Sequence, residues 1–163
     1  MAKNRLPITP AVRFLRSQRI DFKPHIYAYA EHGGAGQAAA ELNLPPHRVV
    51  KTLVLETADQ KVFLMLMHGD QTVSTKQLAR AMGKKRVMPA DPIKARRITG
   101  YPVGGISPFG TRTALPVVVQ ETILALDRIF INGGKRGFLV EIDPAVLTGE
   151  LGAMAVSAAI EGK

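Results

Sequence analysis

Two apolar, strand-like runs dominate the middle of the chain: Val49 to Glu56 and Lys61 to His68, separated by Thr57-Ala58-Asp59-Gln60. Each run is short, rich in Val, Leu and Met, and bounded by polar turn residues, so the pair reads as a β-hairpin. Most positions in both runs are apolar, which marks these strands as the core of the sheet.

The flanking segments supply the rest. Thr9 followed by Pro10 is an N-cap then a first helical position, and Ala11, Phe14 and Leu15 fall at helical spacing with Arg13, Arg16 and Arg19 turned outward. Phe22 to Tyr29 alternates, with Phe22, Ile26 and Ala28 expected inward against Lys23, His25, Tyr27 and Tyr29, and Pro24 predicts an edge strand. A glycine-rich loop at His32 to Gly36 leads into a helix from Gln37 to Leu42, stopped before Pro45-Pro46. Ser74 with Gln77 three residues on caps a helix over Thr75 to Met82 that Gly83 ends, and Asp91-Pro92 caps another over Ile93 to Ile98. Gly100 to Gly110 (GYPVGGISPFG) is too rich in Gly and Pro for a regular element and is expected to be a shaped loop.

Pro116 to Val119, Arg128 to Ile131 and Phe138 to Ile142 read as strands, with Asn132 to Gly137 as a turn. Asp143-Pro144 caps a last helix to about Leu151, and Ala153 to Ile160 fits a final strand or helix. Helices and strands mix without βαβ alternation, which gives an α+β or irregular α/β class with a mixed or antiparallel sheet. A length of 163 residues fits one compact domain over 1–163, its core running from about Thr9 to Ile160.

Composition narrows the chemistry. There is no cysteine, which excludes a disulfide framework, a thiolate zinc site and a cysteine nucleophile in the protein itself. No run reaches the ~18 to 20 apolar residues of a membrane helix, and Met1 to Asn4 lacks the apolar stretch of a signal peptide, so a cytoplasmic location without membrane contact is expected. With 22 Lys plus Arg against 13 Asp plus Glu, the net charge of +9 favours a polyanionic partner. The cations bunch in Lys84-Lys85-Arg86, in Lys94, Arg96 and Arg97, and in Lys135-Arg136, which favours RNA over a merely solubilising surface.

Among individual residues, Lys51 interrupts the apolar run Val49 to Leu55. An ammonium there either sits on a solvated face or points into a polar cleft, because an unpaired buried charge is costly. Gly104-Gly105-Ile106-Ser107-Pro108 offers backbone N–H groups and a hydroxyl that suit a carbonyl oxygen or a ribose hydroxyl, and equally suit a structural turn. The turn Asn132-Gly133-Gly134-Lys135-Arg136-Gly137 lacks P-loop spacing. His25, His32, His47 and His68 show no metal-ligand spacing, and no Gly-x-Ser-x-Gly elbow surrounds Ser107, so neither a metal, a cofactor nor a covalent serine mechanism is expected.

Taken in order, Thr9-Pro10-Ala11-Val12, His25-Ile26-Tyr27, Val50-Lys51-Thr52-Leu53, Ala90-Asp91-Pro92, Thr99-Gly100-Tyr101, Val103 to Pro108 and Gly133-Gly134-Lys135-Arg136-Gly137 resemble the YbaK/ProX family of prolyl-tRNA editing domains, near its EbsC-type branch. The resemblance covers nearly the whole chain. It implies a mixed, partly barrel-like sheet flanked by short helices, and a trans-editing aminoacyl-tRNA deacylase acting on mischarged tRNA, Cys-tRNA(Pro) first and Cys-tRNA(Cys) second.

The lysine matching Lys51 is the family's key functional residue. By the same resemblance Gly104, Gly105 and Ser107 hold the ester and ribose, Tyr27 lines the pocket, Thr52 orients substrate beside Lys51, and Asn132 stands where serine is common. Lys84, Lys85, Arg86, Lys135 and Arg136 are candidate tRNA contacts, and prolyl-tRNA synthetase is a candidate partner. In cysteine-specific members the substrate's own thiol attacks its ester, so the protein need only position and stabilise. Two alternatives stay open: a deacylase for alanine or another small residue, and a basic tRNA-binding module without catalysis.

Overall fold

The computed structural model describes residues 6–161. In chain order the elements are α1 (Pro10–Ser17), β1 (Lys23–Ile26), α2 (Gly34–Leu42), a 3-10 turn at Pro46–Arg48, β2 (Val49–Thr57), β3 (Val62–His68), β4 (Gln71–Val73), α3 (Thr75–Met82), β5 (Val87–Pro89), α4 (Pro92–Thr99), β6 (Val117–Gln120), a 3-10 turn at Glu121–Ala125, β7 (Ile129–Lys135), β8 (Phe138–Ile142), α5 (Ala145–Gly149), β9 (Met154–Val156) and β10 (Ala159–Glu161). The main sheet is mixed and eight-stranded, in the order β1-β8-β7-β2-β3-β6-β9 with β5 added to β2, and β10 pairs with β4 in a small second sheet.

The central hairpin forms as its pattern requires, with Val50 opposite His68 and Glu56 opposite Val62. Strand alternation then sorts the core. Val50, Val54, Leu64, Leu66, Val117, Val119, Ile129 and Ile131 pack on one face with α1. On the opposite face Leu55, Phe63, Met65 and Met67 pack with Leu78 and Ala79 of α3, while Val49, Phe130 and Leu139 pack with Ala38 and Ala39 of α2.

The helix starts follow their capping residues. The Thr9 hydroxyl accepts from Val12 N at 3.1 Å and donates to Gly133 O at 2.6 Å, so the cap of α1 is also tied to β7. Ser74 accepts from Gln77 N at 3.2 Å, and Asp91 accepts from Ile93 N and Lys94 N at 3.0 and 3.3 Å.

Three expectations need correction. The strand expected over Phe22 to Tyr29 pairs only at Lys23–Ile26, and from His25 onward its phase is inverted: Ile26 is 45% exposed while His25, Tyr27 and Tyr29 are half-buried. The cause is His25, whose ring packs edge-on to Phe130 at 5.3 Å and meets Glu141 at 2.9 Å, drawing the odd positions inward. Helix α2 starts at Gly34, inside the expected loop. Strand β7 runs on to Lys135 through a bulge at Asn132/Lys135, so the glycine segment is mostly strand.

Candidate active site

Strand β2 is shared by neighbours that part along one of its edges. It pairs in parallel with β7 only at Val49↔Phe130 and Val50↔Ile131, and with β5 only from Leu55 onward. Between these ladders Lys51, Thr52 and Leu53 are half-buried in a strand otherwise mostly buried. Lys51 lies on the face carrying both the α2 cluster (through Val49) and the α3 cluster (through Leu55), in the interval between them. Its amine is therefore partly withdrawn from water. Burial lowers its pKa, with the charge of Asp70 acting in the opposite sense.

One side of this interval is a cavity of about 330 Å³ whose lining includes Lys51, Leu53, Thr72, Val73, Thr75 and Pro89. On the other side, where the β2–β7 ladder ends, the next residues on the two strands are Lys51 and Asn132. Asn132 carries the glycine loop: its Nδ2 donates to Gly104 O at 3.2 Å, and its Oδ1 accepts from Gly134 N and Lys135 N at 2.6 and 3.1 Å.

The loop is clamped at close range. A Cβ on Gly105 would lie 2.9 Å from Arg136 N and 3.0 Å from Lys135 C, and one on Gly104 would lie 2.6 Å from the Tyr29 hydroxyl. Gly104 also adopts φ +91°, a region only glycine enters freely. Arg136 Nε donates to Val103 O at 2.8 Å, and its guanidinium lies 5.4 Å from the Tyr29 ring centroid. Gly105 N closes a turn onto Pro102 O, while the amides of Gly104 and Ile106 meet no backbone carbonyl among the described residues. Those two amides are among the donors of this loop that a ligand oxygen could use.

The sequence-predicted residues thus divide. Gly104, Gly105 and Asn132 are held together on the β7 side of the parting whose β2 side carries Lys51, and Tyr27 packs half-buried against the α2 cluster on the same face as Lys51. Thr52 does not join them: it pairs with Leu66 and points with Val50 and Val54 to the opposite face, where its hydroxyl is buried without a partner. Ser107 is 0% exposed and its Oγ accepts from Phe109 N at 3.1 Å, so its hydroxyl shapes the loop from inside. Lys135 and Arg136 are both exposed, Arg136 being also engaged in the clamp.

Lys84, Lys85 and Arg86 line a hollow of about 520 Å³ together with Lys76 and Arg80 of α3. Sequence reading passed over Lys76, Arg80 and Tyr29. The four-residue steps from Lys76 to Arg80 to Lys84 were the available signal for a basic helix face. None of these five cations is in an ion pair among the described residues, and the hollow meets the Lys51 cavity at Thr75.

His47, His68 and Asp70 also gather, with one ligand atom from each lying within 4.8 Å of the others. Both His68 nitrogens are already hydrogen-bonded, Nδ1 to His47 O and Nε2 to Thr122 Oγ1, each at 2.7 Å. The group is a hydrogen-bonded unit beside Lys51.

Fold and site together define a domain that presents a partly desolvated lysine and a rigid glycine loop beside a basic hollow, a combination suited to the charged end of a nucleic acid. A family model described as "Aminoacyl-tRNA editing domain" matches residues 32–149. The chain belongs to this family, whose common activity is deacylation of mischarged aminoacyl-tRNA.

Over 140 residues it is 29% identical to an Enterococcus faecalis protein named "Putative Cys-tRNA(Pro)/Cys-tRNA(Cys) deacylase EbsC", covering 85% of each chain. It is 30% identical over 100 residues to a proline–tRNA ligase of Lactobacillus helveticus, covering 61% of this chain and 18% of the ligase. A solved structure described as "a putative trans-editing enzyme for prolyl tRNA synthetase" superposes with a TM-score of 0.79 at 23% identity, covering 94% of this chain and 99% of that one, which establishes the shared fold.

Proposed function

We propose that this chain is a trans-editing deacylase whose substrate is tRNA carrying the wrong amino acid, with Cys-tRNA(Pro) preferred and Lys51 as the catalytic residue. The observation that carries the reading is the placement of Lys51. Its half-buried ammonium stands at the parting of β2 and β7, between an open cavity and the strand residue that holds the glycine loop. A partly desolvated cation stabilises developing negative charge more strongly than one in bulk water.

In this reading the aminoacyl group enters the cavity beside Thr72 and Thr75, and the amides of Gly104 and Ile106 meet the ester or ribose oxygens. The chain has no cysteine and the Ser107 hydroxyl is sealed inside its loop, which agrees with the substrate-supplied nucleophile that the resemblance to cysteine-specific members implies. The cysteinyl sulfur bonds to its own ester carbonyl carbon as the bond from that carbon to the ribose oxygen breaks. The thiol proton passes to the ribose oxygen, and a cyclic thiolactone leaves. Lys51 supplies charge to the anion formed in between.

Lys76, Arg80, Lys84, Lys85 and Arg86, with Lys135 nearer the loop, take the phosphodiester backbone, since five cations in one hollow without carboxylate partners favour a polyanion. A cytoplasmic location and prolyl-tRNA synthetase as partner belong to the same reading. No helix of the described residues is long and apolar enough to cross a membrane.

The test is a deacylation panel of cysteinyl-, alanyl- and seryl-tRNA(Pro). Rapid loss of the cysteinyl ester with the other two spared is expected. Clearance of the alanyl ester would overturn the thiol route. Tight tRNA binding without turnover of any ester would replace the enzyme by a binding module.

A further inference from the structure

One wall of the Lys51 cavity is strand β4, which contributes Thr72 and Val73, with Thr75 just after it. A three-residue strand does not hold its shape alone, and β4 stands apart from the main sheet: its strand partner is β10. The two run antiparallel, with Ala159 opposite Val73, Ile160 opposite Thr72 and Glu161 opposite Gln71. Ser74 N donates to Ala158 O at 2.8 Å, which extends the register by one pair. Hydrogen-bonded pairs alternate along an antiparallel ladder, so the next such pair is Thr72 with Ile160. The backbone of a cavity-lining residue is thus held by the backbone of Ile160.

The segment leading into β10 is firmly anchored. Val156 pairs in parallel with Gln120 of β6, and Val156 and Ala158 are buried in the cluster that holds Met65, Met67 and Leu78. Ala158 N donates to Oε1 of the buried Gln120 at 2.8 Å, and Gln120 Nε2 donates to Thr122 Oγ1 at 3.3 Å. His68 is buried, and its Nδ1 lies 2.7 Å from the His47 carbonyl, which can only accept. In the neutral ring Nε2 is therefore the acceptor, and the Thr122 hydroxyl donates to it at 2.7 Å. A fully bonded polar chain of this kind makes a rigid support.

Beyond that anchor β10 adds little to the core. Ile160 is 45% exposed and Glu161 is exposed, and the Ile160 side chain stands on the same face of the small sheet as Thr72. What β10 contributes is its backbone pairing with β4. Both β9 and β10 lie outside residues 32–149, the segment that matches the family model. The rest of the cavity lining is mostly apolar, with Leu53, Val54, Leu55 and Pro89. Discrimination among small uncharged side chains in such a pocket depends on how closely its walls enclose them.

We propose that β10 is a specificity element of the amino-acid cavity: through the pairing of Ile160 with Thr72 it holds β4 in place as a wall, and so sets how closely a small side chain is enclosed. This rests on the proposed entry of the aminoacyl group into that cavity.

The experiment uses two unreactive probes, adenosine carrying alanine or 2-aminobutyrate through a 3′-amide. They differ by one methylene, and the second has the shape of cysteine without its thiol. Calorimetric affinities are measured for wild type and for Ile160→Pro, which removes the N–H paired with Thr72 and leaves the Ala158 anchor untouched. Wild type should bind the 2-aminobutyryl probe about 10-fold more tightly than the alanyl probe, and Ile160→Pro should reduce that ratio to about twofold or less. On cysteinyl-tRNA(Pro) the variant should raise KM with kcat nearly unchanged, because the wall holds ester and transition state alike.

An undiminished ratio in folded Ile160→Pro, or equal binding of the two probes by wild type, overturns the proposal. Should a thermal melt show Ile160→Pro unfolded, a chain ending at Ala158, which keeps the core anchor, gives the same test. Binding of neither probe by wild type removes the functional reading itself, whereas discrimination that survives the loss of β10 removes only the role of this strand.

Discussion

The sharpest consequence of the site geometry concerns Gly105. Replacing it by alanine puts a methyl carbon 2.9 Å from Arg136 N and 3.0 Å from Lys135 C. Non-bonded heavy atoms rest at about 3.5 Å or more, so the loop or the β7–β8 turn must yield by roughly 0.6 Å. Both partners are backbone atoms of a bulged hairpin and cannot rotate away.

A displacement of that size would carry the 2.8 Å bond between Arg136 Nε and Val103 O to the edge of hydrogen-bonding range, and the 3.2 Å bond between Asn132 Nδ2 and Gly104 O beyond it. Overpacking of this kind costs about 1–3 kcal/mol. A reacting group misplaced by ~1 Å can lose ~10²-fold in rate, so Gly105→Ala should lower kcat by about 10 to 100-fold. Deacylation kinetics with a thermal melt on the same preparation measures both. A stable Gly105→Ala protein with wild-type kcat would refute the reasoning that a rigid glycine loop holds the ester.

Two further outcomes follow from the same structure. Thr52→Val replaces a buried hydroxyl that has no partner with a methyl group of the same shape, so the melting temperature should hold or rise and deacylation should persist; a large loss of kcat would restore a substrate role for that hydroxyl. Reversing Lys76, Arg80 and Lys84 to glutamate should raise KM for tRNA at least 10-fold and flatten its salt dependence while sparing the fold, as expected when phosphate contacts are lost; an unchanged salt slope would place the tRNA elsewhere.

Much of this architecture was legible in local sequence because the signals were local. Thr9-Pro10, Ser74 with Gln77, and Asp91-Pro92 announce helix starts by chemistry that depends only on their own backbone, and the central hairpin announces itself by apolar density. What stayed hidden depends on contacts far apart in the chain. The inward turn of His25 comes from Phe130 and Glu141, more than 100 residues away, and overrides the apolar pattern of Ile26. The short strands β4 and β5 exist because partners meet them, and three residues carry little pattern of their own, while the segment from Ala153 to Ile160, expected as one strand or helix, splits into β9 and β10.

At the site, Lys51 was conspicuous as a charge in an apolar run, and the glycine loop by composition. The separation of Lys51 from Thr52 follows from the two-residue period of a strand, which a motif reading of Val-Lys-Thr-Leu overlooks. The His47–Asp70 and His68–Thr122 contacts join residues 23 and 54 positions apart and left no spacing to find.

The central claim is that the Lys51 ammonium stabilises the charge that develops as the ester breaks. Wild type and Lys51→Ala should be compared on cysteinyl-tRNA(Pro) at neutral pH, with tRNA binding and thermal stability measured alongside. Loss of at least ~10²-fold in kcat with binding and fold retained is the predicted result, in line with removal of a charge-stabilising group. Undiminished turnover in the alanine variant would contradict it.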